Sequence, residues 1–451
     1  MSEATESSLS QRLRTAPAWQ FNLYAIFAAF STYFCMYAFR KPFAAASYDG
    51  AKFFGTEIDA KTAFVIAQII GYTISKFAGM KICSETGRAG RGGLLIKLIL
   101  AAWGSLILFA VLPDDLSFQF EWRGELIDIR HINLKVLAIF ANGLPLGMIW
   151  GTVVLYLEGR RTSELLLAGL SCSYIIASGV VKDVGRALMS DFGVPEYWMP
   201  AATGGLFFLP FLLAVYLLTN LPGPTETDIK ERSARSEMYA DDRWAFCKQF
   251  SLGLVLLSGM YFFLTAYRDY RDNYGVELLT ELGLADVGGV FSMTEIPIAF
   301  GVVSVLALLS LVRSNRLGLK IAFGVMAGGQ LLMGLAMWML NAGHIDGVLW
   351  YGLIGLGAYL AYVPFGCVLF DRLLAYTRFA GTAVFAIYLT DAIGYTGSVT
   401  LQLFRDLIFP DTSRLQFFSN LTYVMSFGGA AALIAAMFYF LRQSPASTQK
   451  A

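Results

Sequence analysis

Twelve ionisable side chains stand inside otherwise apolar stretches of the sequence: Arg40, Lys41, Lys76, Lys182, Asp183, Arg186, Arg268, Asp269, Arg271, Asp272, Glu295 and Asp391. A charge in such surroundings needs a partner or a wet cavity, because placing it in hydrocarbon costs about 2.5–3.5 kcal/mol on insertion scales. Bases outnumber acids in this set. Arginine presents a planar fork that holds a phosphate or carboxylate through two parallel hydrogen bonds, a geometry that lysine lacks. Arg40 and Arg268, with Lys41, Tyr37 and Tyr267 beside them, are therefore the candidate ligands for a small anion. The acids offer a different chemistry, since a carboxyl held in an apolar span can carry a proton. Glu295 and Asp391 are placed for that role, and Asp272, Lys182 and Asp183 join them as candidates for coupling or gating.

Each residue also has a structural reading. Arg40 and Arg268 can snorkel at a membrane interface, and Asp272, one turn after Arg268, can neutralise it within the helix. Lys41 lies about 100° round a helix from Arg40, which suits a supporting or interfacial charge. Asp183 can pair with Lys182 or Arg186 at a helix end, and Glu295 can be a neutral hydrogen-bonded acid or a partner of Arg268. Tyr33, Tyr37, Tyr72, Tyr267 and Tyr388 can line a polar aromatic chamber, although most of the 22 tyrosines must belong to the core or the interface.

Other chemistry finds little support. Cys35, Cys83, Cys172, Cys247 and Cys367 are scattered one per apolar segment without a C-x-x-C pair, so they read as buried thiols, and no metal site is expected. The two histidines, His131 and His344, fall near helix ends, and no H-E-x-x-H, G-x-S-x-G or phosphate-cradling loop occurs. No catalytic residue and no cofactor are expected. A net charge of +1 gives no basic excess for neutralising phosphates, which argues against a nucleic-acid partner.

The elements that must position the buried charges are membrane spans. The chain is 56% hydrophobic and 15% charged, with a mean hydropathy of +0.58, and a bilayer core needs about 20 apolar residues per helix. That length predicts helices over 20–43, 60–83, 94–112, 132–157, 164–188 and 199–219, then 247–272, 287–312, 318–341, 348–374, 379–404 and 417–442. The expected fold is thus all-α and polytopic, with about twelve transmembrane helices in two pseudo-symmetric six-helix halves, 20–220 and 247–442. A charge-dense cytoplasmic linker, 221–246, joins the halves, and tails 1–19 and 443–451 flank them. Arg and Lys concentrate in alternate connections, which places both termini in the cytoplasm. Lys52, Lys61, Arg123, Arg130, Arg405 and Arg414 are the bases of the opposite loops, among which the polar stretch 113–130 has no readable role. The first apolar run is too long for a cleavable signal and is expected to stay. Gly143, Gly147 and Gly151 recur every fourth residue, the spacing that lets helices approach closely.

The opening helices of the two halves repeat one another: YFCMYAFRK ends at Lys41 and YFFLTAYRD ends at Asp269, with Arg40 and Arg268 in register. Parallel six-helix repeats with the solute site at their interface build one large group of secondary transporters. The sequence resembles the major facilitator superfamily, and most of all its organophosphate:phosphate antiporter branch. Tyr37, Arg40, Lys41 and Phe43 match that branch's first helix, and Gly71, Tyr72, Ser75, Lys76 and Phe77 match its second. Arg268, Asp272 and Tyr274 match the seventh, Gly147 to Trp150 the fourth, and Ala380 to Ala383 with Gly394, Tyr395, Gly397 and Ser398 the tenth and eleventh. An uncharacterised bacterial offshoot of the superfamily fits the same residues.

Two places depart from the pattern. In the loop after the second helix Ser84 and Glu85 stand where the superfamily has Asp and Arg, and near Ser178 the branch has a histidine. The resemblance implies a monomeric, multi-pass protein of the bacterial inner (plasma) membrane. It would exchange a small anionic solute, such as an organophosphate, by alternating access, with membrane lipid as its other partner. A proton-coupled carrier of a carboxylate, sugar or xenobiotic, and a transporter-like sensor that moves nothing, are the competing expectations.

Overall fold

A computed structural model describes residues 8–48, 58–113, 116–122, 125–157, 160, 162–225, 228, 240–284, 287–377, 379 and 383–443. Lys52, Arg123, most of the charged linker, and Ala380, Gly381 and Thr382 of the tenth-to-eleventh helix motif lie outside the described residues. The chain divides into two compact units, Met1–Glu231 with Leu403–Pro410, and Arg232–Gln402 with Asp411–Ala451.

The first unit begins with a short helix α1 (Ser8–Thr15), and its six long helices are α2 (Ala18–Tyr37), α3 (Ala60–Glu85), α4 (Arg88–Val111), α5 (Leu134–Leu157), α6 (Ser163–Ser190) and α7 (Met199–Thr219). α3 and α5 pack backbone against backbone, and glycines make that possible. A Cβ at Gly71 would overlap the carbonyl oxygen of Phe140, one at Gly143 that of Gln68, and one at Gly147 that of Tyr72. The four-residue glycine spacing read from α5 thus has a partner glycine on α3. On α7, Leu206, Leu209 and Leu213 form an exposed apolar stripe, which is stable only where the surrounding solvent is lipid.

The second unit opens with a helix α8 (Ala240–Gln249), so the end of the expected 221–246 linker is helical. Then follow α9 (Ser251–Asn273), a short α10 (Gly275–Glu281), α11 (Val290–Ser310), α12 (Asn315–Asn341), α13 (Gly347–Pro364), α14 (Phe370–Thr377), α15 (Ala383–Ile408), α16 (Arg414–Val424) and α17 (Ala430–Arg442). α13 continues into α14 through a π-helical turn at Phe365–Leu369, and α16 into α17 through another at Met425–Gly429. Each joined pair makes one span, so this unit also has six long helical segments among the described residues. Its loops carry ordinary stop and start signals. Gly343 ends α12 in the left-handed region at φ 72°, a conformation open to glycine. Asp346 then caps α13 by accepting from Leu349 N at 2.8 Å.

Nine helical segments among the described residues are long and apolar enough to cross a membrane. α2, α3 and α15 have the length, at 20, 26 and 26 residues, but carry more polar side chains. Those three helices hold or adjoin Tyr37, Arg40, Lys76 and Asp391.

Three expectations change. The first helix stops at Tyr37 and not at residue 43, because Pro42 lacks an N–H and restricts Lys41 before it. Between α4 and α5 the chain is not a plain loop but an antiparallel hairpin, β1 (Leu116–Trp122) and β2 (Glu125–Ile132), with Trp122 opposite Glu125. Lys61, read as a loop base, sits in the first turn of α3 and is buried.

Candidate functional site

Two polar clusters form, one inside each unit. In the first, α2 ends in a turn whose Arg40 N and Lys41 N both donate to Tyr37 O, at 3.0 and 2.9 Å, before a 3-10 turn at Pro42–Ala45. Arg40 is therefore not the last residue of a straight helix. It is buried, 7% exposed, and its guanidinium lies over the ring of Tyr72 on α3, 4.1 Å from the centroid, with Tyr37 at 5.7 Å. A cation over an aromatic face is stabilised by the ring quadrupole. Lys76, one turn along α3, approaches the same Tyr72 ring at 5.3 Å. Tyr33 adds a second aromatic wall, packed on Tyr37 at 5.6 Å and on Trp150 of α5 at 4.9 Å.

Lys41 is buried beside this cluster at the start of the 3-10 turn, so the helical 100° offset from Arg40 does not apply. Lys182 is enclosed on α6 and Asp183 half-buried next to it. α6 packs against both α2 and the 3-10 turn.

The second cluster is built differently. Arg268 lies within α9, five residues before its end, and bridges to the adjacent Asp269: Nη2 donates to Oδ1 at 2.7 Å and Nε to the same oxygen at 3.2 Å. Ser398 of α15 donates to the other carboxylate oxygen at 2.6 Å. The sequence offered Asp272 as the neutralising acid; the bridge goes to Asp269, and Asp272 is buried further along the helix. The Arg268 guanidinium lies 4.0 Å from the Tyr362 ring centroid. Tyr362 stacks on Tyr261, whose hydroxyl donates to Asp391 at 3.0 Å. Gly394 and Gly397 let α15 come this close, since a Cβ at Gly397 would strike the carbonyl of Phe262 and one at Gly394 the Tyr261 ring and Thr265 hydroxyl.

Glu295 on α11 pairs with Arg271 at 2.7 Å, and not with Arg268, which was one of the alternatives the sequence left open, and both side chains are 2% exposed. Arg271 also donates to Tyr351 O at 2.8 Å and lies over the Tyr351 ring at 3.9 Å. Tyr351 returns a hydrogen bond to Arg271 O at 3.1 Å. This is a fully enclosed pair that ties α9 to α11 and α13. Tyr267 is also inside the packing, stacked on Phe418 at 4.6 Å with its hydroxyl against Thr422 at 3.0 Å.

Sequence reading missed Tyr351 and Tyr362, which reach the arginines from helices far along the chain. It also passed over Gln68 and Asn142, both buried. Their signal was present: an uncompensated amide in the middle of an apolar span needs a hydrogen-bond partner.

The matched repeat hides an inversion. In register with Lys41 of the first unit stands Asp269 of the second, so one arginine has a basic neighbour and the other an acidic one. Of the ionisable span residues, the first unit holds five bases and one acid and the second two bases and four acids.

Long helices in this number and order, with buried ionisable residues in each half, make the chain an integral multi-pass membrane protein of the major facilitator fold. Solved transporters are similar along nearly the whole chain. A peptide transporter POT gives a TM-score of 0.60 at 14% identity, covering 97% of this chain and 99% of its own. A D-xylose-proton symporter gives 0.58 at 13%, covering 96% and 100%, and the nucleoside transporter NupG 0.56 at 11%, covering 94% and 99%. Identities this low carry the fold alone. The chain belongs to the Family of unknown function (DUF5690), whose model matches residues 42–122 and 126–443. No curated protein sequence matches it.

Proposed function

We propose that this protein is a secondary active transporter that moves a small anionic solute, organophosphate or phosphate-like, by alternating access, with Arg40 taking the solute's charge. The carrying observation is the Arg40 cluster. A buried guanidinium lies over the Tyr72 ring among Tyr33, Tyr37 and Trp150, in a unit whose ionisable span residues are five bases and one acid. A guanidinium offers a planar fork of donors that suits a planar or tetrahedral oxyanion. Arg268 has a different place in this reading. Its charge is met by Asp269, so it gates or orients and does not compete for the anion. The resemblance to the organophosphate:phosphate antiporter branch through Tyr37, Arg40, Lys41, Tyr72 and Lys76 points to the same solute class.

A second reading has its own observation. The Tyr261–Asp391 hydrogen bond lies next to the Arg268–Asp269 pair in a unit whose ionisable span residues are four acids and two bases, the residue set that a proton-coupled carrier needs. Glu295 is less suited to that work, because Arg271 already engages it in an enclosed pair.

Proteoliposomes separate the two. Labelled inorganic phosphate should enter vesicles preloaded with phosphate faster than empty ones, and an imposed pH gradient should add little. Uptake of a neutral sugar driven by an inward proton gradient, without phosphate exchange, would replace the anion reading with the proton-coupled one.

A further inference from the structure

In a bilayer every backbone carbonyl that leaves a helix needs a partner inside the protein, since no water competes to supply one. The end of α2 releases several at once. Tyr37 O accepts from Arg40 N and Lys41 N, and Lys41 O accepts from Ala44 N at 3.0 Å, so the turn itself satisfies those two. Phe39 O and Arg40 O are satisfied from other helices. Asn142 of α5 donates through Nδ2 to Phe39 O at 3.0 Å and to Ala102 O of α4 at 3.0 Å. Gln68 of α3 donates through Nε2 to Arg40 O at 2.9 Å and to Asn142 Oδ1 at 2.8 Å. Asn142 is 0% exposed and Gln68 4% exposed.

We infer that Gln68 and Asn142 are positioning residues for Arg40: a coupled amide pair that replaces the missing turn of α2 and fixes the guanidinium over Tyr72. Three features carry this. The amides grip consecutive carbonyls, those of Phe39 and of Arg40 itself, so the grip acts on the backbone that aims the side chain. They are linked to one another, which makes the pair cooperative. They also stand on α3 and α5, the two helices that the Gly71, Gly143 and Gly147 contacts lock together, so the clamp is anchored to a rigid base. The inference rests on the proposed role of Arg40 only in its second readout below.

The test compares wild type with Gln68→Leu and Asn142→Ala, and with Gln330→Leu as a buried-amide control in the second unit. Purified protein in detergent is treated with phenylglyoxal, and modification of Arg40 and Arg268 is followed by peptide mass spectrometry. Labelling of Arg40 should rise at least threefold in both first-unit variants, with Arg268 unchanged in them and both arginines unchanged in the control. Equal Arg40 labelling in all four proteins, or a rise in the control as large as in the clamp variants, overturns the inference. Half-saturation by inorganic phosphate in a thermal-shift titration is the second readout. An increase of about tenfold in the clamp variants is expected if Arg40 is the anion ligand. Raised Arg40 labelling with an unchanged phosphate response keeps the clamp and removes Arg40 from the solute site. Should a variant fail to fold, Gln68→Glu, which keeps the side-chain length and gives up the amide donors, takes its place.

Discussion

Arg271 and Glu295 show how a buried charge can be structural at a position where chemistry was expected. With Tyr351 they form a closed set, an ion pair at 2.7 Å and two hydrogen bonds to and from the α13 segment, which ties three helices of one unit. Removing one member of a buried pair costs about 3–5 kcal/mol, because the other is left charged and enclosed, whereas removing both is close to neutral. Glu295→Leu or Arg271→Met should therefore lower the melting temperature in detergent sharply, and the double substitution should recover most of the loss. A proton-carrying Glu295 would instead leave stability nearly unchanged in Glu295→Gln while abolishing gradient-driven uptake. The candidate charges were legible as a set, since each interrupts an apolar run. Their pairing was not, because Arg271 and Glu295, or Asp269 and Ser398, meet only after helices far apart in the chain have packed. Between Arg268 and its two nearby acids, helical spacing favoured Asp272; the structure uses the adjacent Asp269, whose second oxygen is claimed by Ser398.

Apolar runs of about 20 residues placed the helices well, because a span must be continuous to satisfy its own backbone. Two local signals were available and outweighed. Pro42 marked the early end of α2, yet the apolar length rule carried the helix on to residue 43. In 116–132 the alternation of apolar and polar residues about a two-residue connection is a hairpin pattern, but its polarity read as loop. The glycine spacing in α5 was legible and its meaning held: Gly143 and Gly147 meet α3 carbonyls directly, and Gly71 does the same in return. Adding one methyl there forces two helices apart. Gly71→Ala should cost about 1–3 kcal/mol, the usual range for overpacking, read as a lower unfolding temperature. Gly328→Ala on α12, where a Cβ would meet nothing within 4 Å, should be neutral or slightly stabilising given alanine's helix propensity, by up to about 1 kcal/mol. Equal behaviour of the two variants would show that the α3–α5 contact is looser than the glycines imply.

Across the whole molecule the repeat was the clearest sequence signal and also the most deceptive. It identified two six-helix halves, but the likeness of YFCMYAFRK and YFFLTAYRD made Arg40 and Arg268 look equivalent. Their helices end differently, the following residue changes from lysine to aspartate, and the ionisable span residues are mostly basic in the first half and mostly acidic in the second. The distribution of Arg and Lys among the connections predicts cytoplasmic termini: a green fluorescent protein fused after Ala451 should fluoresce in bacteria, and an alkaline phosphatase inserted in the 116–132 hairpin should be active. The reverse pattern would invert the topology. The most direct test of the proposed anion site is a thermal-shift panel on purified protein with phosphate, organophosphates, carboxylates and neutral sugars, run on wild type, Arg40→Ala and Arg268→Ala. Stabilisation should grow with anion concentration, as linkage requires, disappear in a folded Arg40→Ala, and persist in Arg268→Ala. Stabilisation by neutral sugars alone, or an anion response that survives in Arg40→Ala and is lost in Arg268→Ala, would contradict the assignment of the anion to Arg40.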